Sequence, residues 1–319
     1  CQGAISVRQF KGGQSNPTFR IDTADRSFVL RRKPPGQTAP GAHAVDREAR
    51  VMSALGKAGF PVPEVYGLCT DESVIGSWFY VMQCVEGRIF WSSRFESVPA
   101  ADRPAYFDAM NTELARLHCF DPAALGLDDF GKKGNYFERQ IARWSRQYQS
   151  DEIAGRNPDM DRLIEWLPSN IPSGDECRIV HGDYRADNMV FHPVEPRVIA
   201  VLDWELSTLG HPHADFVNHL MMYRLPPSIL SGLKGLDLHA LNLMSEEDYV
   251  AAYCRRTGRE SLGNFGFYRA FALFRLAAIY HGIRARALRG TAASAHAETV
   301  SGQYPLLAKL AWDEALSCD

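Results

Sequence analysis

Residues 179 to 203 constrain this chain more than any other stretch. IVHGDYRADNMVF, residues 179–191, places a polar cluster between two short apolar runs, Ile179 with Val180 and Met189 to Phe191. Short apolar runs bounded by turn residues read as buried strands, so the polar cluster occupies a tight turn. VIAVLD, residues 198–203, is a further apolar run that would pair with MVF as a hairpin. That pairing carries Asp203 back beside Asn188. Any fold of this sequence must therefore gather Asp183, Asn188 and Asp203 at one end of a small hairpin.

The first eighty-odd residues read mainly as strands. ISVRQF and TFRIDTADRSFVLRRK are successive strands, the second stretch folding back at the turn Asp22 to Arg26. Residues 43–57 put Val45, Ala49, Met52 and Leu55 on one face at helical spacing, and Gly59 to Pro63 stop the run. Residues 63–87 return to strand character and end at Gly87. From about Pro104 the texture changes to long amphipathic helices, such as Phe137, Ile141, Trp144 and Tyr148 at i, i+4, i+7 and i+11. A chain of 319 residues exceeds the roughly 250 at which single cores divide. The expectation is an α+β chain of two lobes, a small antiparallel sheet lobe over residues 1–85 and a larger, mainly helical lobe over 86–319.

In H-x-D-x-x-x-x-N, His181 to Asn188, a carboxylate and a carboxamide stand at the two ends of one loop. Phosphoryl transfer uses such a loop to supply a base for the acceptor hydroxyl and an oxygen ligand for Mg²⁺. Mg²⁺ takes hard oxygen ligands and commonly one or two from protein, so a second carboxylate is needed nearby, and Asp203 meets that need. The bland alternative is an Asx-rich turn whose aspartates cap local amides.

The nucleotide half belongs upstream. In KGGQSNPTF, Gly12 and Gly13 let the backbone approach an anion, while Ser15 and Asn16 can donate to phosphate oxygens. A Gly-Gly hairpin turn explains the same stretch equally well. Strand alternation in SFVLRR puts Val29 and Arg31 on the face opposite Phe28 and Leu30, and a cation about one strand pair after the glycine loop is the expected phosphate clamp. Glu48 shares the apolar stripe of its helix and so needs a partner. Arg31 is the expected one; pairing with Arg50 or Lys57 at the helix edge is the alternative.

The bulk numbers exclude several classes. A net charge of -3 shows no basic surplus for nucleic acid or an anionic membrane. Seven scattered cysteines form no C-x-x-C pair, which argues against a disulfide framework and a zinc site and for a reducing cytoplasm. No apolar run approaches the roughly 18 residues of a membrane span, and no signal-peptide pattern opens the sequence.

The order and spacing of these parts resemble the aminoglycoside phosphotransferase family, a protein-kinase-like superfamily that includes choline and homoserine kinases. The residues that carry the likeness are GGQSNPTF, FVLRR, DREARVMSAL, FYVMQCVEG, HGDYRADN and LDWE. LDWE in place of D-F-G points to the small-molecule branch. VLRRKPPG, FPVPEVYG and VIGSWFYVM look more narrowly like the kinase-like domain attached to, or encoded beside, acyl-CoA dehydrogenases.

The resemblance implies transfer of the ATP γ-phosphate, with Mg²⁺, to a hydroxyl of a small molecule, with a hydroxyacyl-CoA as one such acceptor and a functional link to an acyl-CoA dehydrogenase. It implies Asp183 as the catalytic base and Asn188 and Asp203 as metal ligands. Adenine would meet the hinge backbone near Gln83 and Val85, with Val29 against its face. His181, Arg185 and Asp215, the last in GHPHADF, would support the catalytic loop. The family carries Lys where this chain has Arg31, so a kinase-like domain that binds nucleotide and catalyses weakly or not at all stays open.

A rival reading takes His181, His192, His211 and His213, with Asp203 and Asp215, as ligands of a metal-dependent hydrolase, although no H-E-x-x-H helix accompanies them. For the acceptor, residues 205–319 hold eleven acidic and eleven basic side chains, so no acidic surplus favours a polycationic aminoglycoside. Arg284, Arg286 and Arg289 could meet coenzyme A phosphates, or simply form a solvated helix end.

Overall fold

The computed structural model describes residues 4–10, 16–34, 44–291 and 301–318. Its strands run in chain order β1 (Ser6–Gln9), β2 (Thr18–Asp22), β3 (Ser27–Arg32), β4 (Val65–Cys69), β5 (Phe79–Gln83), β6 (Arg178–Val180), β7 (Met189–Phe191), β8 (Val198–Val201) and β9 (Thr208–Gly210). The chain forms two compact units and enters each more than once. The first comprises Cys1–Trp91, Phe120–Phe130 and His181–Thr208; the second comprises the remainder. A single cut at residue 85 follows the change of texture in the sequence. The contacts instead group the turn 181–188 and the β7–β8 hairpin with the N-terminal sheet.

In the first unit β1 to β5 form an antiparallel sheet in the order β1-β2-β3-β5-β4. The β2–β3 turn closes where expected, Thr23 N–H donating to Arg26 O at 3.0 Å. Alternation buries Val29 and Arg31 on β3 and Tyr80 and Met82 on β5, and the register sets Arg31 opposite Tyr80 and Val29 opposite Met82. All four thus share one face. Helix α1 (Val45–Lys57) packs on β4 and β5 through Val45, Ala49, Val51, Met52 and Leu55, with Glu48 buried among them. Each of the Val, Met and Leu side chains contributes about 1.5–3 kcal/mol relative to exposure. A short helix α2 (Glu72–Ile75), which the sequence reading took as strand, is capped by Asp71 and ended by Gly76 at φ +80°.

The hinge after β5 is tied to the hairpin. Arg88 and Phe191 exchange backbone hydrogen bonds at 2.8 Å in each direction. Gly87 is required there, because a Cβ would sit 2.3 Å from Phe191 O and 2.6 Å from Val190 Cγ1. The β7–β8 pairing is the expected hairpin, with Met189 opposite Val201. β6, by contrast, pairs with β9 and not with β7.

The second unit is helical: α3 (Arg103–Cys119), α4 (Tyr136–Gln149), α5 (Pro158–Ser169), α6 (Pro212–Arg224), α7 (Glu246–Thr257), α8 (Phe265–Leu288) and the helix Tyr304–Leu316. The stripe Phe137, Ile141, Trp144 and Tyr148 is buried as its spacing requires. Helix α8 packs on the helix Tyr304–Leu316, α6 and α4. An ion quartet links three of these helices with α7: Arg224 and Arg269 each reach both Glu246 and Glu314.

Candidate active site

The site is built on one residue's backbone. Leu202 follows β8; its N–H donates to Asn188 O and its carbonyl accepts from His181 Nε2, both at 2.8 Å. His181 Nδ1 in turn accepts the Asp183 N–H at 3.2 Å, so the network specifies the tautomer protonated on Nε2. The imidazole is fully buried, edge-on to Trp204 at 4.7 Å between centroids. The turn and the strand end are thus locked together. Gly182 makes the turn possible: it has φ +84°, and a Cβ would meet Leu206 O at 2.9 Å.

Within the turn, Asn188 Nδ2 donates to Asp183 O at 2.9 Å and to Asp183 Oδ2 at 3.2 Å. Asp203 has φ 62° and ψ 62°, a left-handed conformation that costs a non-glycine residue roughly 1 kcal/mol and that aspartate tolerates better than most. Arg185 pairs through both nitrogens with Asp187 and lies 3.8 Å from Asp183 Oδ1.

Arg31 is the centre of charge. Its Nε lies 3.0 Å from Glu48 Oε2, the ion pair expected from the helix stripe. Its Nη2 reaches Asp203 Oδ1 at 2.8 Å and Glu205 Oε2 at 3.2 Å. Glu48 is held further by Asn16 Nδ2 at 2.8 Å and by the Tyr80 hydroxyl at 3.1 Å. Arg50 goes elsewhere, to Asp129, which removes the helix-edge alternative.

Three carboxylates therefore surround one guanidinium. Burial, opposed by Arg31 and reinforced by Asp203 and Glu205, pushes the Glu48 carboxyl up to about 7. Burial disfavours the Arg31 cation, but Glu48, Tyr80, Asp203 and Glu205 outweigh it and raise its pKa. An excess of negative charge persists. Asp203 Oδ2 takes no partner among the described residues, and its side chain is about one-third exposed. That set suits a Mg²⁺ ion, which takes few protein oxygens and completes its shell with water and phosphate.

Some expected residues are placed differently from their expected use. Gly12, Gly13 and Ser15 lie outside the described residues. Asn16 is fully buried, its carboxamide donating to Glu48 rather than presented as a phosphate donor. The Gln83 N–H is taken by Glu64 O at 2.8 Å, and Val85 lies outside any strand. Val29 is buried beside Arg31 on the sheet face. Asp215 belongs to the second unit, in the first turn of α6, with His118 Nε2 3.2 Å from its Oδ2.

The sequence reading missed Tyr80 and Glu205. Tyr80 is visible only through its register with Arg31, whereas Glu205, two residues after Asp203 in LDWE, was open to view. Among the described residues no three His, Cys, Asp or Glu converge as a metal cluster. His192 and His211 accept backbone N–H groups as caps. Both findings argue against the hydrolase reading.

A model of the phosphotransferase enzyme family matches residues 6–262. Mouse acyl-CoA dehydrogenase family member 10 is 45% identical over 315 residues, covering 98% of this chain and 29% of that protein. Human acyl-CoA dehydrogenase family member 11 is 41% identical over 296 residues, covering 92% and 38% respectively. The chain thus spans about a third of the length of these relatives. A crystal structure from Ralstonia eutropha, of a protein named as a candidate aminoglycoside phosphotransferase, is 47% identical with a TM-score of 0.91, covering 99% of this chain and 94% of that one. The aminoglycoside phosphotransferase APH(4)-Ia, solved with AMP-PNP and hygromycin B, has a TM-score of 0.64 at 14% identity over 96% of this chain and 94% of that one, a likeness of fold alone.

Proposed function

Because the chain belongs to the phosphotransferase enzyme family, we propose that it transfers the γ-phosphate of ATP to a hydroxyl of a small molecule. The observation that supports this reading is Leu202, the residue before Asp203, whose N–H meets Asn188 O and whose carbonyl meets His181 Nε2, two residues before Asp183. Asp183 accepts the acceptor's proton as its oxygen attacks the γ-phosphorus; the bond to the bridging oxygen breaks and ADP leaves. Asn188 and Asp203 would hold Mg²⁺, which would offset charge on the phosphates. Arg31, fixed by Glu48, supplies a further cation for the phosphates. His181 fixes the turn and Arg185 flanks Asp183.

The acceptor class is drawn from the relatives. Near-complete coverage of this chain by proteins named as acyl-CoA dehydrogenases supports a hydroxyacyl-CoA and a working link to a dehydrogenase. The cationic end of α8 does not add to this. Arg289 is paired bidentately with Asp151, and Arg284 lies over the Tyr304 ring. Balanced charge in residues 205–319 argues against a polycationic antibiotic. A cytoplasmic setting fits the scattered thiols, and among the described residues no helix is long and apolar enough to cross a membrane.

The test is ADP release from Mg·ATP across hydroxyacyl-CoAs, sugars and amino alcohols. Release stimulated by one class identifies the acceptor. Tight Mg·ATP binding with no turnover on any of them supports the second reading, a nucleotide-binding domain without catalysis, which Arg31 in place of lysine favours.

A further inference from the structure

Arg31 touches three carboxylates through two separate nitrogens. Nε lies 3.0 Å from Glu48 Oε2 as an ion pair without hydrogen-bond alignment, while Nη2 donates to both Asp203 Oδ1 and Glu205 Oε2. The side chain is nine-tenths buried, so these contacts are made largely out of water. One of them falls on the carboxylate assigned above to Mg²⁺. A lysine ammonium, a single nitrogen and a strongly hydrated point charge, cannot serve Glu48 and the Asp203–Glu205 pair through different atoms at once. The arginine of this chain can.

We propose that Arg31 is the resident counter-cation of the metal site, with Glu205 as the positioning residue that keeps Nη2 on Asp203. This rests on the phosphotransferase reading. Without nucleotide, a divalent ion must compete with the guanidinium for Asp203. When nucleotide enters, its phosphates draw Nη2 away and Asp203 becomes available to the ion. Cation and nucleotide therefore load together, and the metal site does not fill ahead of the nucleotide. Glu48, held by Asn16 and Tyr80, keeps the Nε end in place throughout.

The probe is Mn²⁺ alone, titrated by electron paramagnetic resonance into the nucleotide-free protein. Wild type is expected to bind weakly. Arg31→Lys, which keeps the charge but loses the fork, should bind Mn²⁺ about tenfold more tightly, the size of one charge-assisted hydrogen bond released from Asp203. Arg31→Gln should do the same and serves if the lysine variant does not fold. In both backgrounds Asp203→Asn should abolish the gain.

Unchanged or weaker Mn²⁺ binding in the folded variants overturns the proposal, as does a gain that survives Asp203→Asn. Calorimetry of wild type with Mg·ATP tests the underlying reading separately. Absence of binding there overturns both, whereas intact Mg·ATP binding with unaltered Mn²⁺ affinity overturns only the counter-cation.

Discussion

Both units bury ionisable side chains, and a cluster in one treats them in the opposite way to a cluster in the other. In the first, Glu48, Arg31 and Tyr80 are packed into the sheet face beside Asp203 and Glu205, and the group keeps an excess of carboxylate over cation. In the second, His211 and His213 are buried among Phe137 and Tyr268, and burial pushes them down to about 4 and about 3, so both are neutral at pH 7. A core that neutralises its titratable groups is built for packing. A cluster that keeps its charges, with carboxylate in excess, holds its one cation tightly.

The largest expected effects lie in the charged unit. Asp183→Asn keeps the turn's shape and removes the base, so turnover should fall by about 10²–10⁴ while nucleotide affinity survives. Asp203→Asn should weaken Mg·ATP binding together with turnover. Calorimetry with Mg·ATP and a non-hydrolysable analogue separates the two; equal loss of binding in both would make Asp183 a metal ligand or a turn residue.

Next come the buried charges themselves. Arg31→Met leaves three carboxylates without their cation and should cost about 3–5 kcal/mol in urea unfolding. Glu48→Gln leaves Arg31 with two carboxylates and should cost about 1 kcal/mol. If the two losses are equal, the carboxylate excess is not what governs this cluster.

The pH dependences should run in opposite directions. Glu48 is raised from 4.5 to about 7, so its contribution is complete below 4.5 and is lost as pH rises to about 7. His211 and His213 are lowered from 6.5, so theirs is complete above 6.5 and is lost as pH falls towards about 4 and about 3. Each group can add a slope of at most about 1.4 kcal/mol per pH unit. Between pH 4.5 and 6.5 the slopes oppose. Glu48→Gln should remove the alkaline-side loss and His213→Phe part of the acid-side loss, as read from unfolding free energy against pH. A Glu48→Gln profile parallel to wild type would show that Glu48 is ionised throughout.

The smallest effect belongs to the exposed pairs. Arg289→Ala, which breaks the pair with Asp151 at the end of α8, should leave the urea midpoint almost unchanged. A specific loss of coenzyme A affinity in that variant would reopen the cationic helix as a binding surface.

Much of the sheet and the candidate site was legible because it depends on short-range pattern. Period-two alternation put Val29 with Arg31, helical spacing put Glu48 in an apolar stripe, and the run VIAVLD brought Asp203 to Asn188. These are properties of neighbours along the chain, and a sequence records them directly. The short helix Glu72–Ile75 escaped because its Val and Ile also suit a strand, and only the Asp71 cap and Gly76 separate the two.

Tertiary structure decided the partners. Asn16 meets Glu48 across 32 residues, and Arg31 meets Asp203 across 172. No local pattern says which donor a buried carboxylate will find, because the choice is made by strand register and by which backbone groups remain unpaired. Register set Tyr80 opposite Arg31, and the open N–H and carbonyl of Leu202 fixed Asn188 and His181. The sequence by itself singled out the candidate residues for the chemistry; packing determined that Asn16 serves Glu48 and that Arg31 rests on Asp203, since only a closed structure removes the water that would otherwise satisfy each of them separately.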